Sequence, residues 1–310
     1  MLKNKTIAVV IPSYKVTLHI EGVIAKIGAE VDRIYVVDDA CLDGSGRLVE
    51  ESVKDTRVQV IYSDNLGVGG AVMMGYNAAL KDGYDCIDKI DGDGQMDPDL
   101  LPAFVEPILD GHVDYTKGNR FFSLEDVESM PFARLAGNAI LSFMCKASSG
   151  YWTIFDPTNG YTAISQHAAS LLPMKKISNR YFFETDILFR LGTFGAVVQD
   201  IPMRAVYGNE TSSLSINKVL PTFMFGHMRN FSKCILYNYF FAGIFCSVCG
   251  IGFIALFSAV WRGLWPRKMG AVGQFRRLCF QRRGHAGGIA CDHRRATDNI
   301  FHWFRYAKST

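Results

Sequence analysis

Short apolar runs alternate with longer amphipathic stretches through the first 200 residues of the chain. Residues 6–11 are a β-branched run closed by Pro12, and residues 17–30 place apolar side chains at helical spacing. A second strand is expected over 33–37, then Asp43-Gly44-Ser45 and an amphipathic stretch to Val53. A third strand follows over 57–62, an Ala- and Met-rich helix over 67–81, and a fourth strand over 84–90. Strand and helix alternating at this spacing predict βαβ units and a mostly parallel sheet, an α/β fold. The pattern then loosens. A strand is expected over 113–117, helices over 132–147 and 182–191, and a strand over 196–201.

Residues 235–261 run for 27 positions without a charge. A bilayer core of about 30 Å needs about 20 apolar helical residues, so this stretch is expected to be a transmembrane helix. Tyr237 and Tyr239 at one end, and Trp261 and Trp265 at the other, fit interfacial belts. Just upstream, residues 213–234 mix apolar side chains with His227, Arg229 and Lys233. They read either as an interfacial segment on the membrane surface or as an ordinary packed helix.

Charge sharpens this division. The whole chain of 310 residues has a net charge of only +3, but residues 262–310 hold 11 of the 33 Lys and Arg and 2 of the 30 Asp and Glu. The remainder is therefore acidic, and a nucleic-acid partner, which needs a basic footprint on a folded domain, is not expected. The eight cysteines show no paired metal spacing. Cys246-x-x-Cys249 lies in the apolar run and reads as small helical residues. No secretory signal precedes Pro12, so the bulk of the chain is expected to face a reducing cytosol.

Ligands of parallel α/β sheets bind outside the carboxyl ends of the strands. Acidic clusters fall at those ends: Asp38-Asp39 after the second strand, Asp91 and Asp93 after the fourth. Two carboxylates two residues apart can reach one hard cation, which in turn can bridge a diphosphate. Gly92 and Gly94 allow close approach of the backbone. The run Gly67-Val68-Gly69-Gly70-Ala71 departs from the dinucleotide fingerprint at Val72 and reads instead as close packing at a helix start. A P-loop is absent from the sequence.

Five elements occur in order: Pro12-Ser13-Tyr14, Val36-Val37-Asp38-Asp39 with Asp43-Gly44-Ser45, Asn65-x-Gly67-x-Gly69, Asp91-x-Asp93-x-Gln95, and Gly118-Asn119-Arg120. Together they resemble the family-2 glycosyltransferases of GT-A fold, most of all the dolichyl-phosphate mannose synthase and bacterial polyprenyl-phosphate glycosyltransferase branch. The resemblance covers roughly residues 5–215. It implies a GT-A catalytic domain over 1–212 and an inverting transfer from a UDP- or GDP-linked sugar, dependent on Mg²⁺ or Mn²⁺. By the same resemblance Pro12, Tyr14, Val37 and Asp39 would hold base and ribose, and Asp91, Gly92 and Asp93 the metal–diphosphate, with Asp91 and Asp93 as metal ligands. Gln95 and Arg120 would lie near the donor sugar and phosphates, and Asp156 and Gly160 on the acceptor side.

The expected acceptor is a polyprenyl phosphate. A saccharide hydroxyl remains the alternative, and a non-catalytic sugar-nucleotide-binding membrane protein is the rival of another class. A hydroxyl acceptor needs a general base. Glu184-Thr185-Asp186, at a helix start, offers Asp186 for that role beside Asp93, Gln95 and Arg120, although such acids also serve the helix dipole. The resemblance implies a cell-membrane protein with its catalytic domain in the cytoplasm, and leaves a homo-oligomer open. There are departures from the mannose synthases: Val16 stands where they carry Glu, and Ala205 and Thr211 where they carry Arg and Lys. Relatives of the branch follow the first membrane helix with a second, whereas residues 262–310 are a basic tail. A shifted reading frame, disorder, and a tail touching anionic lipid headgroups all remain open for it.

Overall fold

A computed structural model describes residues 2–122, 132–204 and 216–237. The chain divides into two units, residues 1–234 and 235–310, and the description below concerns the first. It is built on a seven-stranded sheet in the order β3-β2-β1-β4-β6-β5-β7. The strands are β1 (Ile7–Ser13), β2 (Arg33–Asp38), β3 (Val58–Tyr62), β4 (Cys86–Lys89), β5 (Tyr115–Asn119), β6 (Thr162–Ser165) and β7 (Val198–Pro202). The helices named below are α1 (Ile20–Lys26), α2 (Ser45–Ser52), α3 (Val68–Asp82), α4 (Leu101–Leu109), α5 (Phe132–Ser149), α6 (Gln166–Leu171), α7 (Phe183–Thr193) and α8 (Ile216–Ile235).

The first four strands pair in parallel, β1 lying between β2 and β4. The chain winds outward from β1 to β3 and then returns to place β4 on the other side of β1. This reversal opens a crevice outside the carboxyl ends of β1 and β4, where an α/β sheet receives its ligand. Successive residues of the central strands face opposite layers. Ala8, Val10, Tyr35 and Val37 join a core with Val72, Tyr76, Ile187 and Leu191 of α3 and α7. Ile7, Val9, Ile11, Ile34 and Val36 join another with Ile20, Ile24, Leu101 and Phe104 of α1 and α4. Such two-sided burial is why these strands read as continuous apolar runs rather than as alternation.

The expected α/β architecture is therefore present, with two additions. β6 and α6 were not expected from the sequence. Four residues, Thr162–Ser165, form an antiparallel strand between β4 and β5. The run is too short to announce itself by periodicity, and it is fixed by its neighbours on both sides. The helix expected over 17–30 is limited to Ile20–Lys26. Among the described residues no helix is long and apolar enough to cross a membrane. The expected transmembrane stretch 235–261 (beyond residue 237), the tail 262–310, and Ala205 and Thr211 lie outside the described residues.

Two glycines give opposite predictions. A Cβ on Gly75 of α3 would run into Val10 of β1, whereas one on Gly22 of α1 meets nothing within 4 Å. Gly75→Ala is expected to lose about 1–3 kcal/mol by overpacking, because a valine cannot swing aside within a strand. Gly22→Ala is expected to gain up to about 1 kcal/mol from helix propensity. Urea unfolding of the two variants beside the parent chain measures both.

Candidate active site

The carboxyl edge of the sheet collects most of the residues singled out by the sequence. Pro12 and Ser13 end β1, and Tyr14 follows exposed, with the Lys15 ammonium 5.6 Å above its ring. Val37 is buried near the end of β2. The two aspartates that follow have separate structural duties. Asp38 accepts hydrogen bonds from the backbone of Cys41 (2.7 Å) and Gly46 (2.6 Å), which fixes the entry to α2. Asp39 accepts from Ser63 Oγ (2.8 Å) and from the backbone N–H groups of Leu66 (2.6 Å) and Gly67 (2.7 Å), so it shapes the loop leading into α3. A carboxylate offers about four acceptor directions, so these three bonds leave one on Asp39.

Gly67 and Gly69 serve the close packing expected of them. Gly67 has φ +90°, and a Cβ there would lie 2.7 Å from the Asn179 carbonyl oxygen. The start of α3 is thereby pressed against the loop that leads into α7.

Asp91, Gly92 and Asp93 follow β4. Asp93 Oδ1 accepts from the Gln95 backbone at 3.0 Å and closes a tight turn. Asp91 has a partner that the sequence reading did not identify. Lys89, with 2% of its side chain exposed, places Nζ 2.6 Å from Asp91 Oδ1 and 3.9 Å from Glu184 Oε1. A second buried lysine, Lys117 of β5, donates to the Asn159 carbonyl. Burial pushes the Lys117 ammonium down and the Glu184 carboxyl up from their ordinary values. A charged residue inside a buried strand is the signal that would have found both lysines.

The acceptor-side element lies directly against this pair. A Cβ on Gly160 would fall 2.5 Å from both Asp91 Oδ2 and Lys89 Nζ, so any larger residue there would have to displace this pair. At the other end of the same loop, buried Asp156 grips Arg120 through two bonds, Nε to Oδ2 at 2.7 Å and Nη2 to Oδ1 at 3.0 Å. Such a fork fixes the plane of the guanidinium. Arg120 and Asp156, read from separate motifs, are thus one unit.

Glu184 and Asp186 part company. Two residues on a helix differ by about 200° in direction, so they leave opposite faces of α7. Glu184 joins Lys89, whereas Asp186 is fully buried and accepts from Ser178 N (3.1 Å) and Asn230 Nδ2 (3.1 Å). Arg190 and Arg229 lie 3.6 and 3.5 Å from it. Asp186 therefore fastens α8 to α7, and the structure brings Glu184 rather than Asp186 beside the Asp91 pair.

Among the described residues, no three His, Cys, Asp or Glu side chains surround a common point that could hold a metal. Asp91 and Asp93 are two hard oxygen donors at a strand end, which suits a cation that brings its other ligands with it.

The seven-stranded, mostly parallel sheet, with acids at the ends of β2 and β4, is a GT-A-like α/β fold. Residues 8–171 match the model of "Glycosyl transferase family 2", and the chain belongs to that family. It is a glycosyltransferase. It is similar to the UDP-N-acetylglucosamine–dolichyl-phosphate N-acetylglucosaminyltransferase of Methanococcus voltae, at 24% identity over 71% of this chain and 93% of that one. The polyprenol monophosphomannose synthase of Mycolicibacterium smegmatis is 25% identical over 63% of this chain and 75% of its own length. Among solved structures, glucosyl-3-phosphoglycerate synthase from Mycobacterium tuberculosis, in complex with Mn²⁺, UDP and phosphoglyceric acid, superposes with a TM-score of 0.54. Identity is 19%, over 71% of this chain and 75% of that one, a likeness of fold.

Asp200 of β7 gives a pH prediction. Its Oδ2 accepts from Phe155 N (3.0 Å) and Asn119 Nδ2 (3.1 Å), and burial raises its carboxyl from 3.8 to about 6. Between these values the folded chain keeps a proton that the unfolded chain has released, so stability falls as pH rises through that window. Asp200→Asn removes the loss and can still accept both bonds. Relative to the parent's, its melting temperature is expected to rise by roughly 2–4 °C from pH 4 to pH 7, equivalent to about 1 kcal/mol at this size, beside a pH-independent cost from its amide N–H groups, which take the place of the buried, unpartnered Asp200 Oδ1. Calorimetry across pH 4–7 measures it.

Proposed function

We propose that the chain transfers a sugar, with inversion, from a nucleotide-sugar to a polyprenyl phosphate in a reaction assisted by Mg²⁺ or Mn²⁺. The observation that carries the reading is the meeting of Asp91, Glu184 and Gly160 around Lys89, with Asp93 in the same turn as Asp91 and the Arg120–Asp156 fork at the other end of the Gly160 loop. Base and ribose would lie along Pro12, Tyr14 and Asp39, with Val37 buried beneath them in the core rather than touching the base, and the remaining acceptor direction of Asp39 meeting an N–H of the base. Asp91 and Asp93 would hold the metal, which when bound neutralises charge developing on the departing diphosphate. Arg120, held flat by Asp156, would face the same phosphates, and Gln95 the sugar.

Two things support the lipid acceptor. The relatives named above act on dolichyl and polyprenol phosphates. In addition, α8 buries Phe223, His227 and Asn230 but leaves Met224, Phe225, Met228 and Phe231 exposed. An apolar stripe bearing Arg229 and Lys233 suits the surface of an anionic membrane. On this reading the catalytic domain sits on the cytoplasmic face, anchored by residues 235–261.

The saccharide-hydroxyl alternative keeps one specific support. Glu184, already at the site and with its carboxyl pushed up by burial, has the character of a general base.

Asp93→Ala is expected to lose turnover by about a hundredfold or more, the scale of removing one electrostatic stabiliser, and excess EDTA to abolish it. Full activity in either case would overturn metal-assisted transfer. Offering Mn²⁺ and nucleotide-sugars with polyprenyl phosphate or with saccharides, and weighing products by mass spectrometry, tests the acceptor. With a hydroxyl acceptor Glu184→Gln is expected to lose about 10²–10⁴-fold, and with a lipid phosphate far less, since no hydroxyl proton has to be removed.

A further inference from the structure

Lys89 has no role in the transfer described above, yet it is one of the largest fully buried side chains in the structure. A lysine loses its hydration when buried and is retained only where paired. Its ammonium lies 2.6 Å from Asp91, 3.9 Å from Glu184 and 5.6 Å from the centre of the Phe183 ring. The Cβ-free face of Gly160 closes the remaining side. The side chain is therefore held by β4, the start of α7 and the acceptor-side loop together. It cannot swing out into water without opening one of them.

This arrangement bears on how a cation can enter. One of the two carboxylates of the D-x-D turn already has a full positive charge against it. A divalent ion arriving alone meets a group whose net charge is close to −1 rather than −2, because the lysine already offsets one of the two carboxylates. An ion that arrives on a diphosphate carries its own compensating negative charge and does not need both carboxylates bare.

We propose that Lys89 is a positioning residue that acts as a resident counter-ion to Asp91, keeping the empty crevice from binding divalent metal firmly, so that metal and nucleotide are taken up as one complex. The proposal rests on the donor-site reading above. It adds an order of binding and assigns that order to a residue outside the D-x-D motif. Glu184 moderates the effect, since its negative charge offsets part of the lysine's.

The test is direct binding of Mn²⁺, read by the electron paramagnetic resonance of free ion, with and without UDP or GDP. The parent chain is expected to hold Mn²⁺ weakly alone and much more tightly with one of the nucleotides. Lys89→Met keeps an unbranched side chain only one atom shorter, without the charge, and is expected to bind Mn²⁺ alone at least about tenfold more tightly. Glu184→Gln removes the moderating charge and is expected to bind Mn²⁺ alone more weakly than the parent. This second variant decides the question if the first fails to fold, which its circular dichroism would reveal. A lysine of purely structural importance predicts unchanged or weaker binding in a folded Lys89→Met, and that result overturns the proposal, as does unchanged or tighter binding in Glu184→Gln. If the parent chain binds no Mn²⁺ with either nucleotide, the donor-site reading falls and takes the proposal with it. If it binds the complex but neither variant shifts the affinity for Mn²⁺ alone, only the role of Lys89 falls.

Discussion

The carboxyl edge of the sheet has to carry several acids within a few ångströms of each other, and part of them lies beyond the reach of water. Charges so placed are tolerable only when paired. Lys89 supplies this pairing from inside, and the charge of Lys117 favours the ionised form of Glu184. Lys89 takes Asp91 and approaches Glu184, while Lys117 binds the Asn159 carbonyl of the acceptor-side loop. From this the rest of the site follows. With the lysines in place, the D-x-D turn, the start of α7 and the loop from Asp156 to Gly160 can converge.

The convergence also needs backbone to approach backbone and side chain without an intervening Cβ. Gly160 lies over Asp91 and Lys89, Gly118 lies against Met203 and Asn159, and Gly69 lies against the loop before α7. Each belongs to a different motif along the chain. Their shared property is position: all lie where two segments of the carboxyl edge meet. The glycines and the lysines thus solve two halves of one packing problem, space and charge.

The legibility of the sequence differs by element. β1, β2 and α3 were readable because each is a long run with one burial pattern. β6 was not, since Thr162–Ser165 is four residues whose strand character comes from pairing with β4 and β5. At the carboxyl edge, Asp91 and Asp93 are legible from their spacing at a strand end, and Arg120 only through the family resemblance of Gly118-Asn119-Arg120. Asp186 and Glu184 show the limit of that approach. Both are acids at one helix start, and only the packing of α8 against α7 turns one inward to Asn230 and leaves the other beside Lys89.

The sequence by itself determined the α/β class, the family, and the strand ends at which the chemistry-bearing residues lie. These depend on local periodicity and on short motifs, which survive without knowledge of neighbours. Only the tertiary structure decided the pairing of Lys89 with Asp91, the union of Arg120 with Asp156, and the split between Glu184 and Asp186. Each of these joins or separates residues through contacts between elements far apart in the chain or on opposite faces of one helix. A linear pattern carries no information on which of several buried charges will share a partner. That choice is made when β4, β5, α7 and the loop before β6 are brought to one edge of the sheet.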